Sequence, residues 1–161
     1  MYNHEPPGYV CPFCEIVRKA KQDPLLIQPS GVIYYSELVT AFLAIHRRPK
    51  NPVNVLVVPN SHFENIYDLP LDYARPIHQL ARAIAISLKM VYACDGVSTR
   101  QHNEPAGNQD VWHYHLHVTP RFPNDEFYKS HWIEFPWNER LEHALRLRKY
   151  VAAHQDDLFM A

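Results

Sequence analysis

Glycine is scarce: only Gly8, Gly31, Gly96 and Gly107 occur in 161 residues. Neither a G-x-x-x-x-G-K-[ST] phosphate loop nor a G-x-G-x-x-G dinucleotide turn can be written with them, which excludes P-loop NTPases and Rossmann dehydrogenases. No run of 18 apolar residues is present, and the start, Met1 to Pro7, lacks the basic-then-apolar layout of a signal peptide. The protein is therefore expected to be cytoplasmic, without a membrane partner. Net charge is also lacking, since 16 Lys+Arg against 17 Asp+Glu leave a formal value of -1. That balance gives no global pull toward nucleic acid, and none is expected as a partner. Repeats, low-complexity tracts and linker-like composition shifts are absent, so residues 1–161 are read as one domain. Cysteine is limited to Cys11, Cys14 and Cys94, an odd number that cannot pair completely.

Hydrophobic residues, at 47%, suffice for a core without disulfides. Ile33 to Tyr35, Val39 to Ile45 and Val53 to Val58 are short, β-branched or aromatic, and bounded by turn residues, which predicts consecutive antiparallel strands. Val97 to His102 and Val111 to Thr119 follow as two more strands, the latter ended by Pro120. Apolar residues at three- and four-residue steps from Asp72 to Tyr92 predict the longest helix, with shorter helical patterns at Glu15 to Lys21 and Asn138 to His154. Runs of strands with segregated helices give an α+β fold.

Histidine is abundant, with 11 in all, and three fall in His113-Tyr114-His115-Leu116-His117. On a strand, alternation sets Val111, His113, His115, His117 and Thr119 on one face, neighbouring histidines about 6.6 Å apart. Neutral imidazole is a good nucleophile near pH 7, so such a row can divide attack on phosphorus, charge stabilisation and proton transfer. An open metal site made of the same three is disfavoured because no carboxylate partner is identifiable. Cys11 and Cys14 form a C-x2-C that points to metal or redox chemistry before a structural disulfide. A thioredoxin-like role is disfavoured without a βαβ setting, and a reduced thiol pair stays open. His4, His46, His78, His102, His131, His143 and His154 are read as surface residues, His46 being nearest the site below.

The run His113-Tyr114-His115-Leu116-His117-Val118, followed by Thr119-Pro120-Arg121, resembles the His-φ-His-φ-His-φ-φ signature of the histidine triad (HIT) family of nucleotide hydrolases and transferases. Val39 to Ile45, Val55 to His62 and Asn103 to Gln109 resemble the family's early strand, next strand and turn, and pre-triad loop. The resemblance covers about residues 11–123, leaving 124–161 as a C-terminal helical extension. It implies a HIT-like α+β fold: a five-stranded antiparallel sheet with one long helix, here with an added C-terminal helix, that usually pairs as a homodimer. It implies a nucleotidyl hydrolase acting on a dinucleoside polyphosphate or nucleoside phosphoramidate through a covalent nucleotidyl-histidine on His115. His117 is similar to the family residue that contacts the phosphate, and Asn103 and Gln109 to polar residues near the phosphate and leaving group. Phe13, Ile16, Phe42 and Ile45 match the apolar slot for the purine base. A zinc-binding subset uses positions matched by Cys11, Cys14, His62 and His113, which implies a structural zinc and no organic cofactor. The chain departs from the family at Ala44, where an acidic ribose-binding residue is usual, at Val53-Asn54 in place of a Gly-His pair, and at Asp110. Related readings are a nucleotidyltransferase or phosphorylase, and a zinc-stabilised nucleotide-binding module with little turnover.

Overall fold

Alternation along the strands builds two apolar layers, one on each face of a sheet. A computed structural model describes residues 2–23 and 31–160. In chain order its elements are α1 (Pro12–Gln22), β1 (Val32–Tyr35), β2 (Val39–Leu43), β3 (His46–Arg47), β4 (Val55–Pro59), α2 (Ala74–Tyr92) and β5 (Gly96–Gln101). They continue with β6 (Leu116–Arg121), β7 (Ile133–Glu134), α3 (Trp137–Ala153) and α4 (Gln155–Phe159). The main sheet is five-stranded, antiparallel at every pairing, in the order β1-β2-β4-β6-β5, and β3 pairs with β7 in a separate ribbon. This is the α+β architecture, with long helix and C-terminal helix, that the resemblance implies.

Ala41, Leu43, Val55, Val57, Leu116 and Val118 point to one face and pack on Ile77, Leu80, Ala81, Ile84 and Leu88 of α2. Their neighbours Phe42, Leu56 and Val58 point to the other face and pack with Phe13, Val17 and Ala20 of α1. The first face is closed by helices, whereas α1 covers only part of the second and leaves room beside it. Pro12 at the start of α1 suits a first helical turn whose N–H groups lack intrahelical acceptors, and the Cys11 thiol accepts from the Cys14 N–H there.

The C-terminal extension belongs to the larger core: Ala144, Leu147, Val151 and Leu158 are buried in the same cluster as Ile33 and Ile84. Leu147→Ala is expected to cost about 2–5 kcal/mol, from lost burial plus the cavity left behind. Urea unfolding measures this, and a cost below about 1 kcal/mol would show a loosely docked helix.

Two strand expectations need correction. Regular pairing of the histidine segment begins at Leu116, so His113 and His115 sit in an irregular approach to β6 rather than on it. Pro120 does not end the strand but pairs with Val97 inside it. This is tolerated because β4 pairs with β6 only as far as Val118, so no carbonyl on that side requires an N–H from residue 120. The β3–β7 ribbon, two residues on each side, is too short to leave a periodic signal.

Candidate active site and metal centre

One row of cross-strand neighbours sets the chemistry of the half-open face. Phe42 on β2 lies opposite Leu56 on β4, Leu56 opposite His117 on β6, and His117 opposite Arg100 on β5. All four line a cavity of about 1050 Å3 that also takes in Phe13, Ile16, Ile45 and His115. Its character thus runs from apolar at β2 to cationic at β5, with imidazole between.

His115 is 3% exposed. Its Nδ1 lies 2.7 Å from the His113 carbonyl oxygen, an acceptor only, so Nδ1 carries the proton and Nε2 keeps a free lone pair. The Phe13 ring meets the imidazole edge-on at 5.3 Å and fixes its plane. The His117 ring centroid is 4.9 Å away. Thr119 Oγ1 donates to Asn54 Oδ1 at 3.1 Å, and the Asn54 amide faces His117 Nδ1 with Nδ2 at 3.2 Å and Oδ1 at 3.3 Å. The residue replacing the family's histidine at position 54 is therefore the hydrogen-bond partner of His117.

Burial holds both imidazoles neutral. It lowers His115 against the opposing pull of the His113 carbonyl, and it lowers His117, with His115, His102 and Arg100 adding to the effect. Unfolded, each titrates near 6.5. The native state binds these protons only well below that value, so the unfolded chain takes up more protons as pH falls. Stability is fully present above about pH 6.5 and is lost progressively below it, at up to about 1.4 kcal/mol per pH unit for each imidazole. Melting of the wild type is expected to fall more steeply between pH 7 and 5 than that of His117→Asn; parallel slopes would contradict the buried neutral state.

Beside this row, Cys11, Cys14, His62 and His113 present four donor atoms within 4.8 Å of one another. The His113 Nε2–H donates to the Pro59 carbonyl at 2.9 Å, which directs Nδ1 toward Cys11 Sγ at 3.3 Å and Cys14 Sγ at 3.5 Å. The Glu5 carboxylate holds His62 Nε2 at 2.8 Å, which directs its Nδ1 toward Cys14 Sγ at 3.2 Å. Both second nitrogens are thus occupied by acceptors, as ligating histidines require. Burial, and then Cys11, push the Cys14 thiol up to about 12. Two adjacent thiolates are stable here only with a cation between them.

Phe13, Ile16, Phe42 and Ile45 are brought together on the cavity wall. Asn103 and Gln109 are not on that wall, and their polar atoms serve the loop. Asn103 accepts from the Ile66 N–H and exchanges hydrogen bonds with Gln101. Gln109 accepts from the Glu104 N–H and donates to the carbonyls of Glu64 and Val111. The Gln109 bond steadies Glu104 at φ 62, ψ 162, a conformation that is costly for any residue but glycine. Several lining residues were not expected, Arg100 among them. His102, read as a surface residue, lies 5.6 Å from the His117 ring and 2.7 Å from the Gly107 carbonyl. Arg48 and Trp132 also line the cavity, as does His46.

The approach to β6 thus brings a buried imidazole to a cleft in an antiparallel α+β fold, beside a Cys2His2 cluster. The sequence model of the HIT domain matches residues 27–124, and the chain belongs to that family. Protein hit of Bacillus subtilis is 30% identical over 122 residues, 76% of this chain and 78% of that protein. The purine nucleoside phosphoramidase of Escherichia coli is 30% identical over 94 residues, 56% of this chain and 75% of the enzyme. The crystal structure of a zinc-bound histidine triad family protein from Mycobacterium smegmatis superposes with a TM-score of 0.74 at 27% identity, covering 91% of this chain and 96% of that one. Among the described residues no helix is long and apolar enough to cross a membrane.

Proposed function

We propose that the chain is a nucleotidyl hydrolase in which His115 forms a covalent bond to the α-phosphorus of its substrate. The observation that carries this is the fixed tautomer of His115, with Nε2 free in a cavity whose adjoining wall is apolar. The base lies between Phe13, Ile16, Phe42 and Ile45, which sets the α-phosphorus over His115 and His117. The Nε2 lone pair forms the N–P bond while the bond from phosphorus to the leaving group breaks, its electron pair departing with that group. Positive charge on the imidazole is shared through Nδ1–H with the His113 carbonyl. Water then attacks phosphorus, the N–P bond returns its electrons to Nε2, and nucleoside monophosphate and a proton are released. Neutral His117 donates from Nε2–H to a phosphate oxygen, and that bond strengthens as charge builds there. Asn103 and Gln109 act as positioning residues that hold the loop beside the triad.

Zinc fits the Cys2His2 donor set, and Cys11, Cys14, His62 and His113 would hold it as a closed structural site. Bound there it ties the start of α1 to the segment carrying His115, and the hydrolysis needs no organic cofactor. The family's homodimer is also part of this reading. The E. coli relative, by name a phosphoramidase, supports a nucleoside monophosphate derivative as substrate. Incubating the purified protein with adenosine and guanosine phosphoramidates and dinucleoside polyphosphates should release the nucleoside monophosphate. No product from any of them would overturn the proposal, and a nucleoside diphosphate appearing only with added phosphate would redirect it to a phosphorylase.

A further inference from the structure

The β5 end of the cavity carries unneutralised charge. Arg100 is the cross-strand partner of His117 and so lies one strand spacing, about 4.8 Å, beyond it on the side away from the apolar slot. Arg48 reaches the same region from the turn after β3. Its guanidinium lies 4.0 Å over the Trp132 ring and 5.5 Å from the Phe127 ring, and that of Arg100 is 5.7 Å from the same Phe127. Arg48 donates through Nη1 to the Ser130 carbonyl, and its Nε is buried without a partner. Among the described residues, neither arginine has a carboxylate partner. The contrast is Arg121, stacked on Phe127 at 4.3 Å, which is neutralised by Asp125 at 2.6 Å.

Like charges held together on one aromatic floor oppose each other, and burial and then Arg100 lower Arg48. Such an arrangement is favourable only when an anion enters it. Phe127 and Trp132 lie beyond residue 124, where the match to the HIT domain model ends, so this shelf is supplied by the segment that follows the matched domain.

We propose that Arg100 and Arg48 form an anion subsite for the leaving group, so that the half of the substrate that departs is itself a phosphate or nucleoside polyphosphate. This deepens the hydrolase reading and rests on it for the position of the α-phosphorus. An ordered ligand places its base in the Phe13 slot, its α-phosphorus over His115, and its next phosphates between the two guanidiniums, with Trp132 offering a face to whatever follows them. The chemistry of departure agrees. A phosphate leaves as a stable anion, whereas an amine needs a proton, and His117 is buried as a hydrogen-bond donor rather than a strong acid.

Two measurements test this. In the first, kcat/KM is compared for diadenosine triphosphate and adenosine phosphoramidate, which share the transferred group and differ only in what departs. The ratio of the two should fall roughly ten- to a hundredfold in Arg100→Gln and again in Arg48→Gln, as expected for losing a charge-assisted contact. An unchanged ratio in both variants, with melting close to wild type, overturns the subsite. The second uses His115→Asn, which cannot form the N–P bond, and compares binding of ATP and AMP. ATP should bind roughly tenfold or more tightly than AMP, and adding Arg100→Gln should remove the difference. Equal binding of the two in His115→Asn also overturns the subsite. If the ATP preference and its dependence on Arg100 hold but the wild type hydrolyses nothing, the subsite stands and the hydrolase reading fails.

Discussion

His115→Asn is expected to lower kcat/KM by roughly a thousandfold or more, about 4 kcal/mol of transition-state stabilisation, while leaving the fold intact. The reason is geometric. Asparagine can still donate to the His113 carbonyl, the 2.7 Å bond that now holds the imidazole, but it offers no lone pair able to attack phosphorus. His117→Asn should cost less, roughly ten- to a hundredfold, because it removes one donor to the phosphate rather than the bond-forming atom. Steady-state kinetics with melting as a control distinguishes the two, and equal losses would mean that His115 has no separate role.

Removal of the metal cluster carries the other large effect. In Cys11→Ala/Cys14→Ala, bound zinc should drop from about one per chain to none. The melting temperature should fall by about 10–20 °C, the loss of roughly 5 kcal/mol in a chain of this size. A chelator should reproduce the shift in the wild type and added zinc should reverse it. The cluster is expected to matter this much because two of its members, Cys11 and His113, are buried and because it joins elements distant in sequence. Cys11 caps α1, and His113 supplies the carbonyl that orients His115. A wild type that purifies without zinc and melts identically with chelator would instead fit a reduced thiol pair.

Local patterns in the sequence translate directly into this structure. Alternation placed Phe42 and Leu56 on one face and Ala41 and Val57 on the other, and the three- and four-residue steps of Ile77, Leu80, Ile84 and Leu88 became the buried stripe of α2. The alternation of the histidines survives as a difference in role rather than as one strand face. His117 alone lies on β6, and the irregular approach turns the His113 carbonyl back onto His115. Backbone turns of that kind are set by how the segment meets the Cys–His cluster and the loop, and no periodicity reports them.

What the sequence left unread depends on chain segments that meet only in three dimensions. Arg48 and Trp132 are far apart in sequence and stack at 4.0 Å. Arg100 reads as an ordinary strand residue until β5 and β6 pair it with His117. Asn54 offered a signal, since a polar residue inside the apolar run Val53 to Val58 must find a buried partner, and it finds His117 and Thr119. Asn103 and Gln109 are polar residues near the triad in sequence, and their hydrogen bonds go to their own loop and to the 64–66 segment packed beside it.

The covalent role of His115 is tested most directly by the stereochemistry of hydrolysis at a chiral α-phosphorothioate in isotopically labelled water. Two successive displacements, first by the imidazole and then by water, give net retention of configuration at phosphorus, and that is the result predicted. Net inversion would mean that water attacks the substrate in a single step and that His115 never bonds to it.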